Sequence, residues 1–290
     1  MNSPETASSD VPIRPAATVM LLADCPDLHV LMLRRRADSV FVGGMSVFPG
    51  GGVDEEDGGA SGAEASLANR RLGVPAGGLA YWMAAIRETF EEAGLLLARS
   101  ADGVLVDLSD GERARRFASH RTEVDAGRRH LGAVLEEEAL LPATDSLFYV
   151  ARWITPPGLT RRYDTRFFAA AAPPGQQALP DQREAVHSEW VRPADALARF
   201  ESGELSLLPP TQGMLRVVSG FGHCEEALAA ARAQQDGLDL QVRMQNERSP
   251  GWQVLLPGDA AYERGEGEAI EGWLRWSSEA ALAGSPGRKD

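Results

Sequence analysis

The stretch RETFEEAGL at residues 87–95 decides how this sequence is interpreted. It ends a segment, 79–93, whose apolar residues recur with the spacing of a helix that turns by about 100° per residue. One face of this helix carries Trp82, Met83, Ile86, Phe90 and Ala93. The opposite face carries Glu88, Glu91 and Glu92. Gly94 follows, at the position where glycine commonly ends a helix. The stretch predicts an amphipathic helix with three carboxylates on its polar face.

Three carboxylates on one helix face indicate a bound cation. Side chains three and four positions apart are neighbours on a helix, so unpaired glutamates there repel each other. Magnesium removes such repulsion, because it prefers oxygen ligands from a few carboxylates, water and substrate phosphates. A solvated acidic face is the alternative. The PGGG segment at 49–52, which we expect to lack regular structure, and the apolar face opposite favour the metal site.

Composition limits the classes of protein that fit. The chain has 290 residues, 43% hydrophobic and 24% charged, as in a globular protein of one or two domains. Its net charge of −13 repels polyanions, so we expect no nucleic acid polymer and no membrane surface as a partner. Cys25 and Cys224 lie far apart and outside any metal-binding spacing, which favours a reducing, cytoplasmic location.

The order of predicted elements indicates an α+β fold. Strand-like and helix-like segments mix without strict alternation, which argues against a doubly wound sheet. Residues 1–13 are polar and are predicted to form a disordered tail, and 261–290 a C-terminal tail. A Gly-, Ala- and Ser-rich region, 57–78, is predicted to be an insertion or surface excursion with a short helix at 63–71. Helical patterns at 193–202 and 211–234 predict a C-terminal helical extension.

The stretch at 87–95 resembles the second half of the signature of Nudix hydrolases, G-x5-E-x7-R-E-U-x-E-E-x-G-U, where U is apolar. Gly51 fits the first glycine, and Asp57 stands where the family has its first glutamate. The family has seven residues between that acid and the arginine. Here 29 residues lie between Asp57 and Arg87, an excess of 22. In family members this acid pairs with the arginine, so the resemblance implies structural roles for Asp57 and Arg87, and for Gly94 at the helix end.

A signature interrupted in this way is similar to the branch that contains the peroxisomal coenzyme A diphosphatases of animals. Other short stretches share this similarity: WITP (153–156), RRYDTRFF (161–168), SEWVRP (188–193), LLPPT (207–211) and LPGD (256–259). The resemblance extends over residues 14–260. It implies one Nudix domain, an α/β/α sandwich with a mixed β-sheet, a helical insertion at 58–86 and a C-terminal helical extension.

The resemblance also implies the reaction and the metal site. Nudix hydrolases cleave a nucleoside diphosphate linked to another group, by attack of water on phosphorus with Mg²⁺ or Mn²⁺. The implied metal ligands are Glu88, Glu91, Glu92 and the carbonyl of Gly51. Glu88 is expected either to bind the metal or to orient the water. The family commonly takes a general base from outside the signature, and Glu184 and Glu189 are the candidates here.

The substrate and its binding residues are expected as follows. Arg161, Arg162 and Arg166 are candidates for clamping substrate phosphates, or alternatively form ion pairs with surface carboxylates. Coenzyme A or an acyl-coenzyme A is the first substrate, and ADP-ribose, NADH or a nucleotide sugar is the alternative. Two alternatives are not enzymes. One is a non-catalytic Nudix module that senses a nucleotide, and the other is a scaffold whose acidic helix binds a basic partner. Since many Nudix enzymes are dimers, a homodimer is also expected.

Overall fold

The computed structural model describes residues 11–38, 43–58, 62–235, 237–247 and 251–276. Its strands are β1 (Ile13–Asp24), β2 (Leu28–Arg35), β3 (Ser46–Val47), β4 (Gly50–Gly52), β5 (Ala98–Arg99), β6 (Leu141–Pro142), β7 (Phe148–Ile154), β8 (Arg162–Ala171), β9 (Ala185–Val191), β10 (Leu240–Glu247), β11 (Gly251–Leu255) and β12 (Glu268–Leu274). Its helices are α1 (Ala63–Leu72), α2 (Gly78–Ala93), α3 (Gly111–Asp125), α4 (Leu131–Glu137), α5 (Pro193–Glu201), α6 (Pro209–Val218), α7 (Cys224–Ala233) and α8 (Ala260–Glu263). Within these residues, no helix combines the length and the apolar character that crossing a membrane requires.

A mixed sheet forms the middle layer of the fold. Its main path runs β11-β10-β12-β7-β8-β1-β2-β3, while β4 pairs with β1 and β9 with β2. Strands β1 and β8 are parallel, and the other pairs are antiparallel. The small strands β5 and β6 pair separately. The α+β class predicted from the sequence is confirmed.

Helices cover both faces of the sheet, and the alternation along β1 shows why. Val19 and Leu21 belong to the core beneath α2, whereas Met20 and Leu22 belong to the core that includes α6 and α7. Successive side chains of a strand point to opposite faces, so a strand that is apolar at every position is buried on both sides. The result is the predicted α/β/α sandwich.

The insertion and the tails differ in detail from the sequence expectations. Helix α2 is continuous from Gly78, so the insertion predicted at 58–86 includes its first half, and only 58–77 lie outside it. Residues 59–61, and residues 1–10 of the predicted tail at 1–13, lie outside the described residues. Helix α1 packs on α2, and the Gly78 N–H donates to Asn69 Oδ1 over 2.7 Å.

Two segments that the sequence placed outside regular structure are strands. The predicted C-terminal tail, 261–290, contains β12, which pairs with β7 and β10, so that boundary was wrong. Two glutamates and a glycine interrupt the apolar residues of β12, so its sequence shows neither a continuous apolar run nor strict alternation, and its pairing with distant strands is what satisfies its backbone. The C-terminal extension is therefore helical first and then stranded. Gly50–Gly52 also form a strand, because β1 supplies hydrogen-bonding partners for three otherwise permissive residues.

Candidate active site

Strand β4 brings a glycine backbone against the end of α2. Gly51 has no side chain, and a Cβ built on it would lie 2.5 Å from the Cδ of Glu88. The Gly50 N–H donates a hydrogen bond to Oε2 of Glu92 over 2.9 Å. Gly50 itself has φ of +156°, and a Cβ there would lie 2.4 Å from a carbonyl oxygen of β1. Only glycine permits so close an approach of the backbone to two of the predicted ligands.

The three glutamates are more shielded than an outward helix face suggests. The exposed fraction of the side chain is 14% for Glu88, 16% for Glu91 and 7% for Glu92. Burial raises the pKa of Glu88 to about 7 and raises the pKa of Glu91. Burial, together with the charge of Glu88, raises the pKa of Glu92 well above its usual value. Such a cluster disfavours its own negative charge, which is the condition that a divalent cation relieves, so the residues fit a metal site.

Arg87 ties the helix to the loop across the insertion. Its Nε and Nη2 donate to the two carboxylate oxygens of Asp57 over 3.0 and 2.9 Å, and Nη2 also donates to the Gly52 carbonyl over 2.7 Å. Nη1 donates to Glu88 over 2.9 Å and to Glu91 over 3.4 Å. The pair of Asp57 and Arg87 therefore persists although 29 residues separate them, and aspartate serves where the family has glutamate.

Glu184 and Glu189 are separated by the structure. The Arg35 guanidinium donates to Glu184 Oε2 over 2.8 Å and to Glu92 Oε1 over 3.5 Å, so Glu184 lies beside the glutamate cluster. Its side chain is 59% exposed. Glu189, on β9, instead accepts a hydrogen bond over 2.9 Å from Arg199 of α5. The sequence does not single out Arg35, because Arg34, Arg35 and Arg36 are consecutive at a strand end, a pattern typical of solvated arginines.

The arginines expected to clamp phosphates do not share one environment. Arg166 is buried under α2, where its guanidinium donates to Tyr149 over 3.3 Å and lies over the ring of Tyr81. Arg162 is buried too, and it donates to the Thr155 carbonyl over 2.9 Å. These two expectations are corrected, because both guanidinium groups are buried and hydrogen-bonded within the protein. Arg161, just before β8, is exposed and stays a prediction.

A second acidic group in the structure fits a metal less well. Ligand atoms of His120, Glu137 and Glu138 lie within 4.8 Å of one another. Arg116 already donates to Glu138 over 2.6 Å, and Arg129 donates to Glu137. Guanidinium groups therefore neutralise these carboxylates from the protein itself. The cluster on α2 has fewer such partners for its charge, and it is the stronger candidate.

The geometry can hold a hard cation next to a diphosphate. Glu91 and Glu92 offer carboxylate oxygens from successive positions of α2, and Glu88 faces them from one turn earlier. The Gly51 backbone lies against the Glu88 carboxylate, so its carbonyl is a further oxygen within the same region. Gly94 ends the helix with φ of 70°, and its N–H donates to the Phe90 carbonyl. The helix thus stops directly after the carboxylates that it presents.

Comparison with known proteins identifies the family of this chain. The family model described as the NUDT19 Nudix domain matches residues 63–217, more than half of the chain. Acyl-coenzyme A diphosphatase NUDT19 of Homo sapiens is 30% identical over 197 residues, which cover 63% of this chain and 51% of that protein. The chain thus matches about half the length of this human relative. The protein of the same name from Gallus gallus is 27% identical over 303 residues, covering 86% of this chain and 79% of that protein.

A solved structure shows the same architecture. The crystal structure of a Nudix hydrolase from Alicyclobacillus acidocaldarius is 28% identical and superposes with a TM-score of 0.62. The superposition covers 76% of this chain and 97% of that one. The fold and the family match therefore agree. This chain is a Nudix hydrolase that belongs to the NUDT19 Nudix domain family.

Proposed function

We propose that this protein hydrolyses the diphosphate bond of a nucleoside diphosphate derivative in a metal-dependent reaction, with coenzyme A or an acyl-coenzyme A as the substrate. The observation that carries the proposal is the cluster of Glu88, Glu91 and Glu92 against the backbone of Gly51. The names of the curated relatives support the choice of substrate. ADP-ribose, NADH and nucleotide sugars are the competing substrates.

In this proposal Glu88, Glu91, Glu92 and the carbonyl of Gly51 hold magnesium or manganese. The bound metal would neutralise charge on the phosphate oxygens and lower the pKa of an attacking water. Arg87 keeps the carboxylates in register with the glycine strand, because it bonds to Glu88, Glu91 and the Gly52 carbonyl at once. Gly51 leaves the space that the Glu88 carboxylate occupies.

Glu184 is the proposed general base, or the residue that orients the water. The support is its position: Arg35 joins it to Glu92, and its half-exposed carboxylate is open to a substrate. Glu189 is bound to Arg199 instead, which makes it a suitable control. Arg161 is the remaining candidate for a phosphate contact, since it is exposed at the start of β8.

The test is a substrate panel with a charge-neutral variant. Coenzyme A, an acyl-coenzyme A, NADH and ADP-ribose are incubated with the protein and Mg²⁺ or Mn²⁺, and the products are identified by mass. We expect 3′,5′-ADP and a phosphopantetheine from the coenzyme A compounds. Glu91→Gln should lower kcat by at least about 100-fold, since it removes a metal ligand and its charge. Glu112→Gln changes an exposed glutamate at the start of α3 and should leave the rate unchanged.

The outcomes separate the readings. If only NADH or ADP-ribose is cleaved, with release of AMP, the substrate assignment changes from coenzyme A to that compound. Equal, negligible hydrolysis by wild type and Glu91→Gln would reject the enzymatic proposal, and nucleotide binding without turnover would favour a sensing module. A cytoplasmic location is also proposed, supported by the free thiols of Cys25 and Cys224. A homodimer, supported by the family resemblance, is tested by light scattering.

A further inference from the structure

A cleft lies directly beside Glu91, on the side of α2 that faces α3 and α4. Its volume is about 350 Å³, and its lining includes Arg87 and Glu91 of α2 and the turn that joins α3 to α4. The cleft is therefore continuous with the carboxylates proposed to hold the metal. Sites of this size accommodate part of a small-molecule ligand.

The inner wall of the cleft is apolar. It is formed by Leu79 and Met83 from α2, Val124 from α3 and Leu131 from α4. Leu79, Val124 and Leu131 are buried, and Met83 packs against the same core. A ligand group seated here would cover apolar surface, which favours a chain with hydrocarbon character.

The charged groups around the cleft are mainly acidic. Five carboxylates line it: Asp54, Glu56, Asp57, Glu64 and Glu91. The two arginines that line it are already committed, because Arg87 bonds to Asp57 and Arg129 forms ion pairs with glutamates of α3 and α4. A phosphate group would meet net negative charge in this cleft. Carboxylates accept hydrogen bonds only, so they favour a ligand that carries N–H or O–H donors.

Contacts across the cleft hold its walls in place. Nδ1 of His130, just before α4, lies 2.6 Å from Oε2 of Glu56, in the turn that follows β4. Thr144 donates a hydrogen bond to Glu64 of α1. One bounded surface beside Glu91 is therefore formed by helix α1 of the insertion, the turn that follows β4 and the turn between α3 and α4.

We propose that this cleft receives the uncharged arm on the non-nucleotide side of the substrate diphosphate, an amide- and hydroxyl-bearing chain with an apolar end. The nucleotide and its phosphates are then left outside the cleft, where the acidic lining does not repel them. This assignment rests on the proposed function, and it gives the insertion within the signature a role in substrate selection. Pantetheine and acyl-pantetheine arms have the required donors and hydrocarbon.

Gly132 provides a way to fill the cleft without disturbing the core. It lines the cleft as the second residue of α4, and a Cβ built on it meets nothing within 4 Å. Gly132→Phe therefore adds a bulky side chain at the lining of the cleft without a clash at its Cβ. Gly111→Phe is the matched control, because Gly111 is the first residue of α3, its added Cβ has only an ordinary contact at 3.7 Å, and it does not line the cleft. Gly132→Leu is a smaller substitution for use if the phenylalanine variant does not fold.

Binding of the two halves of coenzyme A is measured by calorimetry with Mg²⁺, using 4′-phosphopantetheine and 3′,5′-ADP as separate ligands. We expect Gly132→Phe to weaken the binding of 4′-phosphopantetheine by about tenfold or more and to leave that of 3′,5′-ADP unchanged. Gly132→Leu should show a smaller loss of the same selectivity, and Gly111→Phe should change neither affinity.

Weakened binding of 3′,5′-ADP, equal losses for both ligands, or no loss for either would overturn the assignment. Failure of wild type to bind 4′-phosphopantetheine would overturn it as well. These measurements need no turnover. Failure of the proposed function is seen separately, as an absence of hydrolysis in the substrate panel.

Discussion

Replacing Gly51 by alanine should separate activity from folding. The new Cβ would lie 2.5 Å from Cδ and Oε1 of Glu88, so the carboxylate has to retreat by about 1 Å to reach ordinary contact. The displaced atoms are the far end of a flexible side chain, and the free energy of unfolding should change by less than about 1 kcal/mol. A shift of about 1 Å in a ligand-positioning group costs roughly 100-fold in catalysis. We therefore expect kcat/KM for the diphosphate substrate to fall roughly 100-fold and the Mg²⁺ requirement to rise.

The neighbouring residue supplies the control. A Cβ built on Gly52 meets nothing within 4 Å, and the Gly52 carbonyl that accepts from Arg87 is retained in an alanine variant. Gly52→Ala should keep wild-type kcat/KM, and both variants should melt near the wild-type temperature. Magnesium-dependent hydrolysis and thermal unfolding are measured side by side. If Gly51→Ala and Gly52→Ala show the same activity, the packing of Glu88 on the glycine backbone is not what positions the carboxylate.

Three further predictions concern pH and the general base. Burial raises the pKa of Glu88 to about 7, so its contribution to the stability of the metal-free protein is present below about pH 4.5 and is lost as pH rises through 7. In EDTA, urea unfolding should show Glu88→Gln gaining about 1.4 kcal/mol over wild type between pH 6 and 8, and an unchanged difference across this range would contradict it. Hydrogen bonding to Arg116 lowers the pKa of Glu138 to about 2, so the stability from this pair is lost as pH falls from about 4.5 towards 2. Over that range the free energy of unfolding of Glu138→Gln should fall by about 1–3 kcal/mol less than that of wild type. If the variant loses stability in acid as wild type does, the pairing is rejected. Glu184→Gln should lower kcat by about 10²–10⁴-fold and change its pH profile while Glu189→Gln does neither, and equal rates for the two variants would remove Glu184 from the reaction.

The sequence was informative where one periodic pattern and one local signal coincided. Helix α2 could be predicted because its apolar face, its glutamates and Gly94 all indicate the same element. Strand β12 could not be predicted in the same way, since glutamates and a glycine interrupt its apolar residues and it depends on β7 and β10 for its backbone hydrogen bonds. Its partners are distant in the chain, and no local propensity reports them.

The arrangement of the candidate site's carboxylates was predictable, and their surroundings were less so. That Glu88, Glu91 and Glu92 share one helix face follows from their spacing, whereas their burial depends on β4 lying against them, which pairing with β1 decides. Arg166 looked like a phosphate clamp because arginine is usually exposed, yet ring contacts and the Tyr149 hydroxyl hold it within the core. Side-chain type indicates which chemistry is available, and tertiary packing decides where it is used.

The pairing of β1 with β8 determines when this site can form during synthesis. Ile13 of β1 lies opposite Arg162 of β8, nearly 150 positions later in the chain. Until β8 leaves the ribosome, one edge of β1 has no partner, although β1 is also the strand on which Gly50 and Gly51 are aligned. Contacts of such long range form slowly, because a large loop must close before they are gained. The glutamate cluster therefore reaches its final packing against β4 late, after the helix that carries the glutamates has already been made.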